Sequence, residues 1–430
     1  MKFDVYLENS KNCIDGPLNK FSDIESEFEF INSKEDFKIK DIGISNLEDW
    51  NFDNNNNFSH SSGGFFKVIG LEHSKIKTGI LLQDEIGTLG LIMCIYDETI
   101  HFLIQFKKEP GNIPSAQLSP TLQATLSNQK RKHGGKMPMY LDYFQNSKQD
   151  EIVINKLLPE QGYRYWRKYN NNLVIMKDYF HPHDGFMWMT LGQIYKFSSI
   201  NNSINSCLRS ALSLLIDNKR IPDKKFNKGN ILTIIDKSKI KYQESPTIQN
   251  SVFEFHDKKT DRLVFDNPYD KFSVSGISIS ILGREVGNWN QPIIFDEYLD
   301  EYILLSVLHK GKRKYLLKEH KEPGYEFGFN FGPTHINKGI DFSIEDKIKT
   351  IFLNYENFHL VKKIRMSEEG GRFYNCEVNH CFYEINCSDD IVEQGEYKLF
   401  DSEEIKVINE LGFLSMEGRS LLFFSNFVYN

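Results

Sequence analysis

The sequence predicts an α+β protein made of two tandem copies of one unit, on three observations. Ordered fragments recur: Glu109-Pro110-Gly111 is followed by Pro120-Thr121, and Glu322-Pro323-Gly324 is followed at the same internal spacing by Pro333-Thr334. Asp84-Glu85 has a counterpart in Asp296-Glu297, and Glu160-Gln161-Gly162 in Glu369-Gly370-Gly371. Ordered matches with small indels mark an internal repeat. Each copy also reads as strands first, with helical spacing only afterwards, which is α+β order rather than βαβ alternation. Finally, the 430 residues exceed the roughly 250–300 that one core serves.

The elements follow in chain order. Residues 1–57 are acidic and end in Asn54–Asn57, which predicts a loosely attached extension. The first copy is expected over 58–222 and the second over 223–430, with the seam near residues 218–230 in the polar DNKRIPDKKFNKGN stretch. Leu89–Tyr96 and Thr99–Lys107 are apolar, β-branched runs hinged at Asp97-Glu98, a hairpin signal. Tyr302–Leu308 and Lys314–Lys318 repeat it around Lys310-Gly311. Ile204, Cys207, Leu208, Ala211, Leu214 and Leu215 recur at helical spacing. Asp401 and Glu404 form a capping box for a closing helix that stops near Gly412.

Composition narrows the function. A net charge of −7 gives no general attraction for nucleic acid or anionic membranes. No run of about 18 apolar residues predicts a membrane span. The opening MKFDVYLENSKNC has no secretory apolar run. Six cysteines in this length are too few for a disulfide framework. The expectation is a cytoplasmic protein with reduced thiols.

Gln117–Ser127 alternates with period two, placing Gln117, Ser119, Thr121, Gln123, Thr125 and Ser127 on one face and Leu118, Leu122, Ala124 and Leu126 on the other. This face is either a half-exposed strand or a wall that hydrogen-bonds a hydroxylated ligand. The second copy has Gly332 for Ser119, Ile336 for Gln123 and Lys338 for Thr125, so the functional site is expected in copy one. No metal is expected. Cys376, His380, Cys381 and Cys387 resemble zinc ligands in type, but a strand there sends His380 and Cys381 to opposite faces. No G-x-G-x-x-G or P-loop string occurs.

His60-x-Ser62-Gly63-x-Phe65-Phe66, Gln105-x-Lys107-x-Glu109-Pro110-Gly111-Asn112, Gln117-Leu118-Ser119-Pro120-Thr121, Gln123-Ala124-Thr125 and Ser127-Asn128 together resemble the sugar-nucleotide (NDP-hexose) 2,3-dehydratases. So do His133-Gly134-Gly135, Tyr140-Leu141-x-Tyr143-Phe144 and Glu160-Gln161-Gly162. The resemblance implies a tandem duplication of a Nudix-like domain, each a mixed sheet with flanking helices, with the catalytic pocket in copy one and a scaffold or vestigial pocket in copy two. It implies a homodimer acting on dTDP-4-keto-6-deoxyglucose without a cofactor. The product, a 3,4-diketo-2,6-dideoxy sugar nucleotide, passes to a 3-ketoreductase in deoxysugar biosynthesis. Gly64, Leu126, Tyr169 and Asn171 stand where the family commonly carries arginine; Lys107, Arg131, Lys132, Arg167 and Lys168 remain to neutralise a diphosphate.

The implied chemistry needs a base for the carbon-3 hydrogen, an acid for the carbon-2 hydroxyl and donors for an enolate. His133 or Glu109 is expected as base and Tyr140 as acid. His60, Lys107, Gln117, Ser119, Thr121, Gln123, Thr125, Asn128, Tyr143 and Lys168 are expected to bind substrate. Two other readings stand beside this one: a non-catalytic sugar-nucleotide-binding protein, and a Nudix-type diphosphate hydrolase. The latter needs clustered magnesium-binding glutamates, to which Ser367-Glu368-Glu369-Gly370 is the nearest approach.

Overall fold

A computed structural model describes residues 2–73, 76–131, 134–215, 228–242, 247–249, 251–267, 270–282, 286–296, 298–309, 311–338, 356–387 and 395–429. The expected seam near 218–230 falls largely outside them, as do His133, Lys132 and Lys310.

The described residues fold as mixed α+β with four sheets, one seven-stranded and one six-stranded sheet in each half. The seven-stranded sheet of the first half runs Ile152–Pro159, Tyr169–Met176, Gly87–Tyr96, Thr99–Lys108, Phe186–Met189. That of the second runs Phe329–Gly332, Lys312–Lys321, Asp300–His309, Glu377–Cys387, Glu356–Ser367, with His335–Asn337 also paired to Asp300–His309 and Tyr397–Phe400 to Lys312–Lys321. Both are mixed: Tyr169–Met176 lies parallel to Gly87–Tyr96, and Glu377–Cys387 parallel to Asp300–His309. The Asp97-Glu98 turn has positive φ at both residues (48° and 52°), the geometry that suits a two-residue hairpin.

Past Met93 and Phe102 the two hairpin strands part, and the returning chain fills the gap. Ala116–Ser119 pairs with Thr99–Lys108, and Leu122–Ala124 pairs with Gly87–Tyr96. Pro120-Thr121 is the wedge between them. The Thr121 hydroxyl accepts from the Ile92 N–H at 3.0 Å and donates to the Leu103 carbonyl. Thr334 repeats this with the Leu305 N–H (2.9 Å) and the Leu316 carbonyl. Proline has no N–H to give a ladder and threonine's hydroxyl supplies both missing bonds. The recurrent Pro-Thr pair therefore records sheet construction.

The N-terminal segment is not loosely attached. Its helix Phe21–Ser33 buries Phe21, Ile24, Phe28 and Ile31 in the main core, with the Phe28 ring 5.3 Å from Phe197. These apolar positions lie at helical spacing inside an acidic sequence, so average composition hid an amphipathic helix. The strand Phe37–Asp41 then pairs antiparallel with Asp270–Ile281 of the other half. The second half mirrors this: helix Lys228–Lys241 buries Ile231 and Ile235, and strand Thr247–Gln249 pairs with Lys67–His73 of the first half. Each half thus lends an early strand to the other.

The helices Ser206–Ser213 and Met416–Val428 pack on each other and on their own sheets, joining both halves in one core. Every residue of Ser206–Ser213 is buried, as a helix at the centre of two layers requires. The Asp401/Glu404 capping box opens Ser402–Glu410, and Gly412 (φ 77°) ends it. Among the described residues no helix is long and apolar enough to cross a membrane.

Candidate functional site

The two Glu-Pro-Gly loops sit where the halves interlock. The Gly111 N–H donates to the Gly370 carbonyl (2.7 Å), and the Gly324 N–H donates to the Gly162 carbonyl (2.7 Å). A β-carbon on Gly111 would stand 1.5 Å from the Phe373 carbonyl oxygen, and one on Gly324 1.8 Å from that of Tyr165. Only glycine permits such backbone approach. The same bonds correct the expected register. The Gln161 carbonyl accepts from Arg164 and Tyr165, as the Glu369 carbonyl accepts from Arg372 and Phe373. Gln161, not Glu160, is therefore the counterpart of Glu369.

Glu369 consequently reaches from the second half into the first half's polar cluster. Lys107 Nζ lies 2.9 Å from Glu109 Oε1, and Asn205 Nδ2 donates to Glu109 Oε2 at 3.0 Å. Gln123 Nε2 bridges the two acids, 3.2 Å from Glu109 Oε1 and 2.8 Å from Glu369 Oε1. Ser119 Oγ donates to Gln123 Oε1 (3.2 Å), which fixes the amide's orientation. Asn205 is itself placed by helix geometry, since its Oδ1 caps Ser206–Ser213 through the Cys207 N–H (2.7 Å).

Glu109 and Lys107 are buried, while Gln123 and Glu369 are half-buried, so the cluster opens at the bridging amide. Burial first, then the Glu109 charge, pushes the Glu369 carboxyl up to about 7. Burial lowers Lys168 to about 8, and its ammonium donates to the Glu85 carbonyl. The cluster thus sets an ion-paired carboxylate beside a carboxyl that keeps its proton near neutrality, a division suited to acid–base work.

The corresponding place in the second half is different. His320 stands for Lys107, Gly332 for Ser119, Ile336 for Gln123 and Gln161 for Glu369. Burial takes His320 down to about 4, and its Nε2 lies 2.7 Å from the Pro333 carbonyl oxygen. Gln161 donates instead to Glu368 Oε2 (2.7 Å), whose other oxygen accepts from the Tyr302 hydroxyl (2.8 Å). Among the described residues neither the Lys107–Glu109 pair nor the amide bridge recurs at these positions, and the lysine whose charge acts on Glu322 is Lys338, in the place of Thr125.

Of the residues expected from sequence, Lys107, Glu109, Ser119 and Gln123 come together; the continuous polar strand does not form. Thr121 is the sheet wedge, its hydroxyl engaged by the Ile92 N–H and the Leu103 carbonyl. Thr125 caps the short helix Leu126–Gln129 by accepting from the Asn128 N–H, and Ser127 bonds Glu85. Gln117 is wholly buried and donates to Ser367 Oγ at 2.6 Å. His60 lies at the six-stranded sheet, its ring against Trp50 and Phe65 and its Nδ1 2.7 Å from Ser62 Oγ.

Tyr140 does not join Glu109. Its hydroxyl accepts from the His183 N–H (2.8 Å), and its ring packs with Tyr143, Phe180 and Phe186 beside Leu122 and Ala124. Alternation along Leu122–Ala124 sends Gln123 to the opposite face of the sheet. Tyr140, expected as the acid, therefore packs on the face of the sheet opposite Gln123. Glu369 and Asn205 were missed. The repeated Glu-x-Gly fragment was the available signal for Glu369, one residue out of register.

The strand Glu377–Cys387 does separate His380, which packs on Tyr302 and Phe424, from Cys381, which faces Glu301. Among the described residues no group of three histidine, cysteine or acidic side chains is placed to hold a metal.

The sequence profile described as NDP-hexose 2,3-dehydratase matches residues 22–215 and again 241–424. A dTDP-4-dehydro-6-deoxy-alpha-D-glucopyranose 2,3-dehydratase of Saccharopolyspora spinosa is 27% identical, over 90% of this chain and 87% of its own. Proteins of the same name from Amycolatopsis orientalis (26%, 90% of this chain and 86% of its own) and Streptomyces violaceoruber (28%, 79% and 82%) are also similar. Among solved structures, the NUDIX domain of Shewanella oneidensis NrtR complexed with ADP ribose matches 29% of this chain and 83% of its own, at 14% identity and a TM-score of 0.19.

Proposed function

The chain belongs to the NDP-hexose 2,3-dehydratase family, and we propose that it dehydrates dTDP-4-keto-6-deoxy-D-glucose to a dTDP-3,4-diketo-2,6-dideoxyglucose at the Lys107–Glu109–Gln123 cluster. The observation that carries the placement is the ion-paired, amide-bridged acid of the first half, which the second half does not repeat.

The ketone at carbon 4 acidifies the carbon-3 hydrogen. In this reading Glu109 removes that proton, and Lys107, 2.9 Å from it, stabilises the negative charge moving onto the carbonyl oxygen. Such placed charge acts most strongly where water is excluded, and both side chains are buried. Loss of the carbon-2 hydroxyl then gives an enol that tautomerises to the diketone. No step transfers an electron or hydride, so no cofactor is invoked. Lys168 and Arg167 are assigned to the diphosphate, replacing the arginines absent at Gly64, Leu126, Tyr169 and Asn171.

We also assign the finer architecture to two Nudix-like units, the second retaining a vestigial pocket. The exchanged strands support drawing each unit from its leading helix rather than treating 1–57 as an appendage. A homodimer in the cytoplasm, handing its diketone to a 3-ketoreductase, completes the proposal. The test is to incubate the protein with dTDP-4-keto-6-deoxyglucose and follow the sugar nucleotide by mass. Loss of one water is expected; full recovery of intact substrate contradicts the reading.

A further inference from the structure

Resting on the dehydratase reading above, we propose that Glu369, contributed by the second half of the chain, donates the proton that lets the carbon-2 hydroxyl leave as water. The first half supplies the base and the second supplies the acid.

Three observations converge on Glu369. It is held in the site by the same Gln123 amide that touches Glu109, at 2.8 Å and 3.2 Å respectively, so the two carboxyl groups flank one point. Its backbone is fixed by the interlocked glycines: Gly370 gives its carbonyl to Gly111, and a β-carbon on Gly370 would stand 2.1 Å from Asn112 Oδ1. In the other half the equivalent of this pair is Gln161 with Ile336. There the donor acid and the amide that orients it are both gone together, although Glu322 keeps the place of Glu109. A carboxyl kept only for packing would have no reason to change in step with Gln123.

The surroundings suit a proton donor. Glu369 faces Glu109 and Glu160, with Arg372 and Lys107 as the nearby cations, and burial with the Glu109 charge outweighs those cations to hold its proton to about 7. The step balances. Glu109 takes the carbon-3 proton, and that electron pair forms the enolate. As the carbon–carbon double bond to carbon 2 forms, the carbon-2–oxygen bond breaks with its electrons on oxygen, and the Glu369 proton makes that oxygen water. The resulting enol returns its oxygen-3 proton to Glu369 and takes the proton held by Glu109 at carbon 2. Both carboxyl groups are then reset.

The test is the full-length Glu369→Gln variant in heavy water, reading dehydration by mass and hydrogen exchange at carbon 3 in the recovered substrate. Dehydration is expected to fall about 10²–10⁴-fold while carbon-3 exchange continues, and the decline of turnover above pH ~7 is expected to vanish. Gln161 already fills the matching backbone position, so glutamine is compatible with the loop. Glu369→Asp, which keeps a carboxyl, is expected to recover part of the turnover and the pH limb. Wild-type turnover and pH profile in Glu369→Gln, or loss of exchange together with dehydration in a folded variant, overturns the assignment. If the unmodified protein shows neither reaction, the dehydratase reading fails, and this one with it.

Discussion

Arg209 and Arg419 exchange partners across the centre of the molecule. Arg209 Nε donates to Ser420 Oγ at 3.1 Å, and Arg419 Nε donates to Ser210 Oγ at 2.8 Å. Each guanidinium also holds a carbonyl of its own half, Ile204 for Arg209 and Leu414 for Arg419. The remaining arm of Arg209 reaches the Ser367 carbonyl (3.2 Å), two residues before Glu369, and that of Arg419 reaches the Pro159 carbonyl (2.6 Å), just before Glu160. The internal symmetry thus sets the strand ends from which each half's acidic loop departs.

Removing either arginine should be costly. Arg209→Ala orphans two buried carbonyls at about 1–3 kcal/mol each and leaves a cavity, so a loss of about 3–5 kcal/mol is expected. Thermal and urea unfolding check it. Arg209→Lys should not restore stability, because an ammonium cannot reproduce the planar fork. Full recovery by lysine would show that charge alone matters there.

Gln123→Ile imitates the second half and removes the amide between Glu109 and Glu369. Turnover efficiency is expected to fall roughly ten- to hundredfold, from a lost bond of about 1–3 kcal/mol. The mirror change Ile336→Gln should leave turnover unchanged. Equal losses from both, with circular dichroism showing both folded, would mean the halves share the chemistry.

Thr121→Val and Thr334→Val should behave alike, since both hydroxyls hold the same pair of backbone groups. Each is expected to lower stability by about 1–3 kcal/mol. The substrate KM of Thr121→Val should stay at the unmodified value. A raised KM with an unchanged melting temperature would return Thr121 to the ligand wall.

Stability should fall as pH rises from about 6.5 to about 8. Burial pushes Glu322 and Glu369 to about 7 and Glu417 to about 8. In that window the native state holds protons that the unfolded state has released, so raising the pH favours unfolding. Below it, the depressed His320 and His380 act in the opposite direction. Thermal midpoints across this range check the sign, and Glu417→Gln should flatten the slope. A midpoint that rises with pH here contradicts it.

Much of this was legible because local chemistry leaves local marks. Asp97-Glu98 marked a hairpin and Asp401 with Glu404 marked a helix start, since turns and caps are set by neighbouring residues. The recurrence of Glu-Pro-Gly and Pro-Thr revealed the two halves. Less visible was whatever depends on long-range packing. Phe21–Ser33 reads as acidic until Ile24, Phe28 and Ile31 are set on one face. The period-two pattern of Gln117–Ser127 held for Gln117 and Ser119 and then broke at Pro120, where the chain turns into the gap between two strands. A fifth repeat, Ile204 to Arg209-Ser210 against Leu414 to Arg419-Ser420, is too short to stand out until the two helices are seen side by side. Glu369 could not be assigned to the first half's site at all, because 246 residues separate it from Gln123.

One site, in the first half, is proposed to carry the dehydration. The most direct measurement compares Glu109→Gln with Glu322→Gln against the unmodified protein, following water loss from dTDP-4-keto-6-deoxyglucose by mass, with melting curves to confirm folding. Glu109→Gln is expected to lose dehydration by about 10²-fold or more, and Glu322→Gln to keep it. Retained activity in a folded Glu109→Gln, or an equal loss in Glu322→Gln, would contradict it.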